Sequence, residues 1–161
     1  MTDAPEKENG SSRLCQVYSG ACDLIVLPPG TQGPRMPAAV SCRFSGLEED
    51  YTAFIDTASD YCMMQPDVAR QLGLFDERMP RSDSVTIWTW RGRYKGCLCR
   101  HPLVVPAIEG SDLELDASWF VSKDWDGPNV LGWYGCLGSM AFGCRPRVTA
   151  DDGDTFYFAA L

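Results

Sequence analysis

The segment Phe54-Ile55-Asp56-Thr57-Ala58-Ser59 runs an apolar strand straight into an acid and follows it with three small residues. A carboxylate is costly to bury unless it is hydrogen-bonded or shared. A strand that ends its apolar run on one therefore needs a reason. Small residues after the acid let the backbone turn tightly and aim its N–H groups back at the carboxylate. Taken alone, the segment fits either a structural acid capping a turn at a strand end or a carboxylate held for chemistry.

The flanking sequence reads as many short strands. Leu24 to Leu27 is an apolar strand, ended by Pro28-Pro29-Gly30 and a Pro/Gly-rich loop reaching Pro37. Ala38 to Phe44 and Tyr51 to Asp56 are strands joined by a turn over Gly46 to Asp50, which predicts a hairpin. Pro66 to Leu74 reads as a short helix, with proline in the first turn, Asp67 near the start and Gly73 at the end. Ser84 to Arg100 places Val85, Ile87, Trp88, Trp90, Tyr94 and Leu98 around Arg91-Gly92, the pattern of a second hairpin. Leu103 to Val105 and Leu113 to Val121 are further strands, and Asp124 to Pro128 is a turn. Asn129-Val130-Leu131-Gly132 is a short strand end, Trp133 to Phe142 a possible short helix weakened by Gly135 and Gly138, and Phe156 to Phe158 a last strand. The fold class expected is all-β, a closed barrel with one or two short helices.

In this order the pieces resemble the retropepsin-like aspartic proteases. That family's active-site loop reads apolar-apolar-Asp-Thr/Ser-Gly-Ala/Ser, matched at Phe54 to Ser59. Its later apolar-apolar-Gly is matched by Val130-Leu131-Gly132, and the intervening helix by Pro66 to Gly73. The resemblance covers roughly residues 36 to 161. It divides the chain into a disordered polar tail (1–12), an N-terminal extension (13–35) and a protease domain (36–161). There is one acid loop and no internal repeat, so the resemblance implies a homodimer in which each copy supplies one Asp56.

Carried over by position, the resemblance makes Asp56, Thr57 and Ala58 the catalytic loop, with Thr57 bonding to its twin across the dimer axis. Asp60 would bind substrate main chain. The hairpin carrying Trp88, Trp90, Arg91 and Gly92 would be the flap closing over a peptide, and Phe156 to Leu161 would pair with the partner's termini. The family's glycine is Ala58 here, which fits if its φ is negative. That departure leaves open a second reading, a catalytically weak or inactive peptide-binding or scaffolding dimer of the same fold. No metal or organic cofactor is implied.

Composition narrows the classes. The 161 residues carry 22 acids against 14 bases, a net charge of −8, which argues against nucleic acid and against anionic membrane surfaces. The N-terminus lacks the apolar core of a secretion signal, and no apolar run approaches the ~20 residues of a membrane span. A cytoplasmic protein is expected. The eight cysteines are then expected to be mostly free, buried thiols rather than disulfides. Cys97, Cys99 and His101 alternate on one strand face. Without C-x-x-C pairs that face reads as packing rather than a metal site, although a thiol-based redox or metal protein is the third class the cysteines allow. His101 is the sole histidine, and no nucleophile elbow, Walker or Rossmann motif is present. Trp119, Trp125 and Trp133 read as core or interface.

Overall fold

The expected first hairpin forms from β3 (Ala38–Phe44) and β4 (Asp50–Ile55), paired from Arg43 with Asp50 to Ala39 with Phe54. The structure is a computed structural model that describes residues 18–26, 38–75, 84–89, 91–145, 147 and 153–161. Upstream lie β1 (Gly20–Asp23) and β2 (Ile25–Val26). Downstream follow β5 (Cys62–Met64), the helix α1 (Pro66–Gln71), β6 (Val85–Thr89), β7 (Gly92–Val105), β8 (Glu109–Gly110), β9 (Leu113–Val121), β10 (Asn129–Leu131), a 3-10 turn (Leu137–Ser139), β11 (Met140–Arg145) and β12 (Thr155–Ala160).

Six of these strands close on themselves in the order β3-β4-β10-β5-β9-β7, with β7 returning to β3 through Arg43 opposite Val104 and Phe44 opposite Leu103. Closure removes the exposed edges that an open sheet leaves. The chain is thus all-β around a closed barrel, as expected from the sequence. Its longest seam is β7 against β9, antiparallel from Cys97–Val121 to Val105–Leu113. Alternation along β7 sends Cys99, Leu103 and Val105 inward to meet Cys42, Phe44, Cys62, Trp119 and Leu131 in one core. Phe44 and Trp119 pack at the centre in a tilted arrangement, with ring centroids 5.0 Å apart. Trp119 is fully buried, and its indole N–H donates to the His101 carbonyl at 3.0 Å. A second sheet, ordered β11-β12-β1-β8, adds Phe156 and Phe158 to the same core.

A buried asparagine ties the helix to the barrel. Asn129 accepts from the Gln65 backbone N–H at 2.9 Å and donates to the Gln65 side-chain oxygen at 3.2 Å and the Thr52 carbonyl at 3.4 Å. Asn129→Ala removes the acceptor of the Gln65 N–H and one donor to the Thr52 carbonyl. The expected loss is about 2 kcal/mol, read as a lower urea midpoint at unchanged slope.

Several local expectations are corrected. Of the strand expected over 24–27, only Ile25–Val26 forms one among the described residues, because Leu24, whose N–H donates to the Asp154 carbonyl, is where the chain leaves the β1 sheet before joining β3 at Ile25. Leu27 lies outside the described residues. β1 and β2 come from the segment read as an extension, yet they are paired members of the two sheets. The helix ends at Gln71 rather than Leu74, since Gly73 turns with φ +67. The second hairpin's strand does not stop at Arg100 but runs through Pro102 to Val105. Trp133 to Phe142 is no α-helix: Gly135 takes φ +71, only Leu137–Ser139 is 3-10, and Met140 starts β11. Of Phe156 to Leu161, the segment expected to meet a partner's termini, Phe156 to Phe158 are paired on both sides within the chain, by β1 and β11, while Ala159 and Ala160 are paired with β11 alone.

Candidate active site

The acid loop begins where β4 ends. Asp56 donates its backbone N–H to the Leu131 carbonyl at 3.1 Å, and its own carbonyl accepts the Ser59 N–H at 3.1 Å. The Ala58 N–H donates to Asp56 Oδ1 at 3.0 Å. This is the return of a small-residue turn onto its acid that the sequence suggested. Ser59 Oγ closes the far end by donating to the Tyr61 carbonyl at 2.8 Å. Among the described residues no non-glycine has positive φ, so Ala58 sits in this turn without left-handed strain.

β10 is inserted between β4 and β5, parallel to the first and antiparallel to the second. The chain then continues beneath the loop that joins them. Trp133 and Tyr134 donate their N–H groups to the Ser59 and Asp60 carbonyls, each at 2.7 Å. Gly132 lies at the crossing, where a Cβ would fall 2.3 Å from the Tyr61 carbonyl oxygen. The loop over 56–60 is therefore clamped from both ends by one threaded strand. Asp56, Thr57, Ala58 and Asp60 are all exposed at its tip.

Sequence reading missed the sulfur pair below the crossing. The Gly132 N–H donates to Cys62 Sγ at 3.4 Å, and both Cys62 and Cys136 are fully buried. Cys62 is the acceptor of the pair: a hydrogen bond from Cys136 and the Gly132 N–H hold its thiol below the ordinary value, while donation to Cys62 and burial push Cys136 up. Burial likewise raises Cys42, to about 12. A cysteine placed straight after the acid loop was the available signal. Cys62→Val removes the acceptor, and its slightly larger side chain is matched by the same change at buried Cys42. It is expected to cost about 1–3 kcal/mol for the stranded Gly132 N–H, measurable by chemical denaturation, whereas Cys42→Val, which leaves that bond intact, costs less.

The flap candidates sit on a separate element. Trp88, Arg91 and Gly92 belong to the β6–β7 hairpin, where Thr89 Oγ1 accepts the Arg91 N–H at 3.1 Å; Trp90 lies outside the described residues. Trp88 is 77% exposed with the Arg93 guanidinium 5.6 Å over its ring. Tyr94 donates to Asp126 at 2.7 Å and packs edge-on against Trp125, and Arg91 lies 3.9 Å from the other Asp126 oxygen. The Asp126 carboxylate, with burial, raises the Tyr94 hydroxyl above its ordinary value. These contacts fasten the hairpin to the connection that leads into β10. Hairpin and acid loop are thus joined through the threaded strand.

The Cys97–Cys99–His101 face turns out to be barrel lining. Cys99 belongs to the core, Cys97 packs against it, and His101 Nε2 donates to the Ser45 carbonyl at 2.9 Å. Among the described residues no group of three or more His, Cys, Asp or Glu is placed to hold a metal ion. Among the described residues Cys22, Cys42, Cys62, Cys97, Cys136 and Cys144 are free thiols, the first three and Cys136 buried, and Cys99 is buried as well; Cys15 lies outside the described residues. Trp119 and Trp125 are buried, whereas Trp133 is not. No helix among the described residues is long and apolar enough to cross a membrane.

Fold and site together define a closed β barrel that carries an exposed carboxylate on a threaded loop. No protein-family model matches the sequence, and no curated protein matches it. Among solved structures the chain is similar to a retropepsin-like aspartic protease from Rickettsia conorii, at 13% identity and a TM-score of 0.48, over 88% of this chain and 94% of that one.

Proposed function

We propose that the chain is an aspartic endopeptidase of the retropepsin type, active as a homodimer in which the two Asp56 carboxylates form the catalytic pair. The observation that carries this reading is the mounting of Asp56. Its carboxylate is exposed, yet the loop beneath it is fixed at Asp56 by Leu131 and at Ser59 and Asp60 by Trp133 and Tyr134. A merely structural acid at a strand end has no use for so rigid a support, whereas a reacting group needs one.

Two carboxylates brought within a few ångströms share one proton, because both cannot ionise so close together. The ionised member takes a proton from a water, and that water attacks the scissile carbonyl carbon. The protonated member donates to the carbonyl oxygen as negative charge develops there. Collapse of the tetrahedral intermediate returns a proton to the leaving amine and breaks the C–N bond. Thr57 bridges the two loops across the dimer axis, Asp60 binds peptide main chain, and the β6–β7 hairpin covers the substrate.

A peptide library incubated with the full chain tests the class of chemistry. Cleavage is expected to be inhibited by a peptide carrying a tetrahedral secondary alcohol in place of the scissile carbonyl, since such a group mimics the transition state. Thiol alkylation of exposed cysteines and metal chelation are expected to leave it intact. Cleavage that the alcohol does not touch and a chelator or thiol reagent abolishes would refute the reading.

A further inference from the structure

We infer that the surface through which two copies of this chain meet is the uncharged aromatic shelf of Trp133 and Tyr134, next to the acid loop, rather than an exchange of terminal strands. The inference rests on the proposed function, in which a site with one Asp56 is incomplete without a second copy.

Four observations place the contact there. First, most of the terminal strand is occupied. Thr155 to Phe158 are hydrogen-bonded to β1 on one side and β11 on the other, so this stretch has no edge left to offer. Second, Trp133 and Tyr134 are large, uncharged and exposed, at 46% and 59%. Tyr134 extends the surface by packing against Tyr61, with ring centroids 6.1 Å apart. Exposed aromatics grouped in this way mark interaction surfaces rather than ordinary solvent-facing positions. Third, the shelf is continuous with the loop whose symmetric approach the chemistry requires, because the N–H groups of these two residues hold the Ser59 and Asp60 carbonyls. Anything docked on the shelf is registered against Asp56. Fourth, charge opposes self-contact least here. Each copy carries −8, and in a two-fold contact every residue near the axis faces its own kind. A neutral aromatic face is one on which two such chains avoid like charges directly opposed.

Sedimentation equilibrium of the full chain tests this. Wild type is expected to dimerise, and W133S/Y134S to weaken the dimer by at least ~30-fold, the effect of losing a central aromatic anchor. Tyr134→Glu, which sets two carboxylates against each other, is expected to do the same alone. Trp88→Ser, at an equally exposed aromatic on the hairpin, is expected to leave dimerisation unchanged. Circular dichroism and thermal melts check that each variant is folded. A double variant that is folded and dimerises within two-fold of wild type overturns the shelf, even if peptide cleavage stands. A strictly monomeric wild type overturns it as well. A dimer that weakens as expected but cleaves nothing upholds the shelf and removes the protease reading instead.

Discussion

An Asp56→Asn chain is expected to lose at least ~10³-fold in turnover of any peptide the wild type cleaves, because a homodimer so changed has neither the general base nor the general acid. The substitution is nearly isosteric. Asn keeps an oxygen able to accept the Ala58 N–H now on Asp56 Oδ1, and the side chain is exposed, so the fold and the dimer are expected to persist. The sharper measurement is a mixture. If equal amounts of wild-type and Asp56→Asn chains exchange subunits at random, only about one quarter of the dimers keep both carboxylates, and activity at constant total chain falls to about one quarter. Chains acting singly would retain about one half. A value near one half after full exchange would reject the shared pair, even with the single substitution inactive.

The same loop shows what could be read from residues alone. The acid at the end of an apolar strand, the small residues after it and the apolar-apolar-Gly segment are all local patterns, and each appears where expected. The barrel followed because its strands, notably Ala38–Phe44 and Leu113–Val121, carry period-two patterning or apolar runs. What could not be read were pairings between distant segments. Nothing local marks Gly20–Asp23 as a strand; it becomes one because Thr155–Phe158 offers an edge. Met140–Arg145 likewise depends on β12, and its aromatic and glycine content, with the apolar run before it, reads as a weak helix. The candidate site was legible at Asp56, whose turn lies in one segment. The supports under it were not, because Cys62, Asn129 and Asp126 act through partners roughly 30 to 75 residues away. Even so, an asparagine heading an apolar strand and a cysteine abutting an acid loop are readable hints once a threaded strand is suspected.

Gly132→Ala is expected to be the most destabilising single methyl that can be added to the described glycines around the loop. At this position the constraint is space rather than conformation, since Gly132 is not among the glycines with positive φ. Its Cβ would fall 2.3 Å from the Tyr61 carbonyl oxygen, 2.4 Å from the Tyr61 carbonyl carbon and 2.9 Å from the Cys62 nitrogen, all of them backbone. No rotamer change can relieve such a clash. Either β10 or the loop above it must move, and both are held by the bonds from Gly132 to Cys62, Trp133 to Ser59 and Tyr134 to Asp60. Overpacking of this kind, together with one or more of those bonds, is expected to cost about 3–5 kcal/mol. Gly73→Ala supplies the comparison. Gly73 has φ +67 but nothing within 4 Å of its Cβ position, so alanine there is expected to cost about 1–2 kcal/mol from backbone conformation alone. In the fraction of Gly132→Ala that remains folded, a displaced loop carries Asp56 with it, and a shift of about 1 Å is expected to lower turnover per folded chain by ~10²-fold. Urea denaturation of the two variants, with peptide turnover normalised to folded protein, separates the effects. If Gly132→Ala melts no earlier than Gly73→Ala and turns over peptide at the wild-type rate, the strand is not threaded tightly beneath the acid loop. The rigid mount of Asp56 then loses its physical basis.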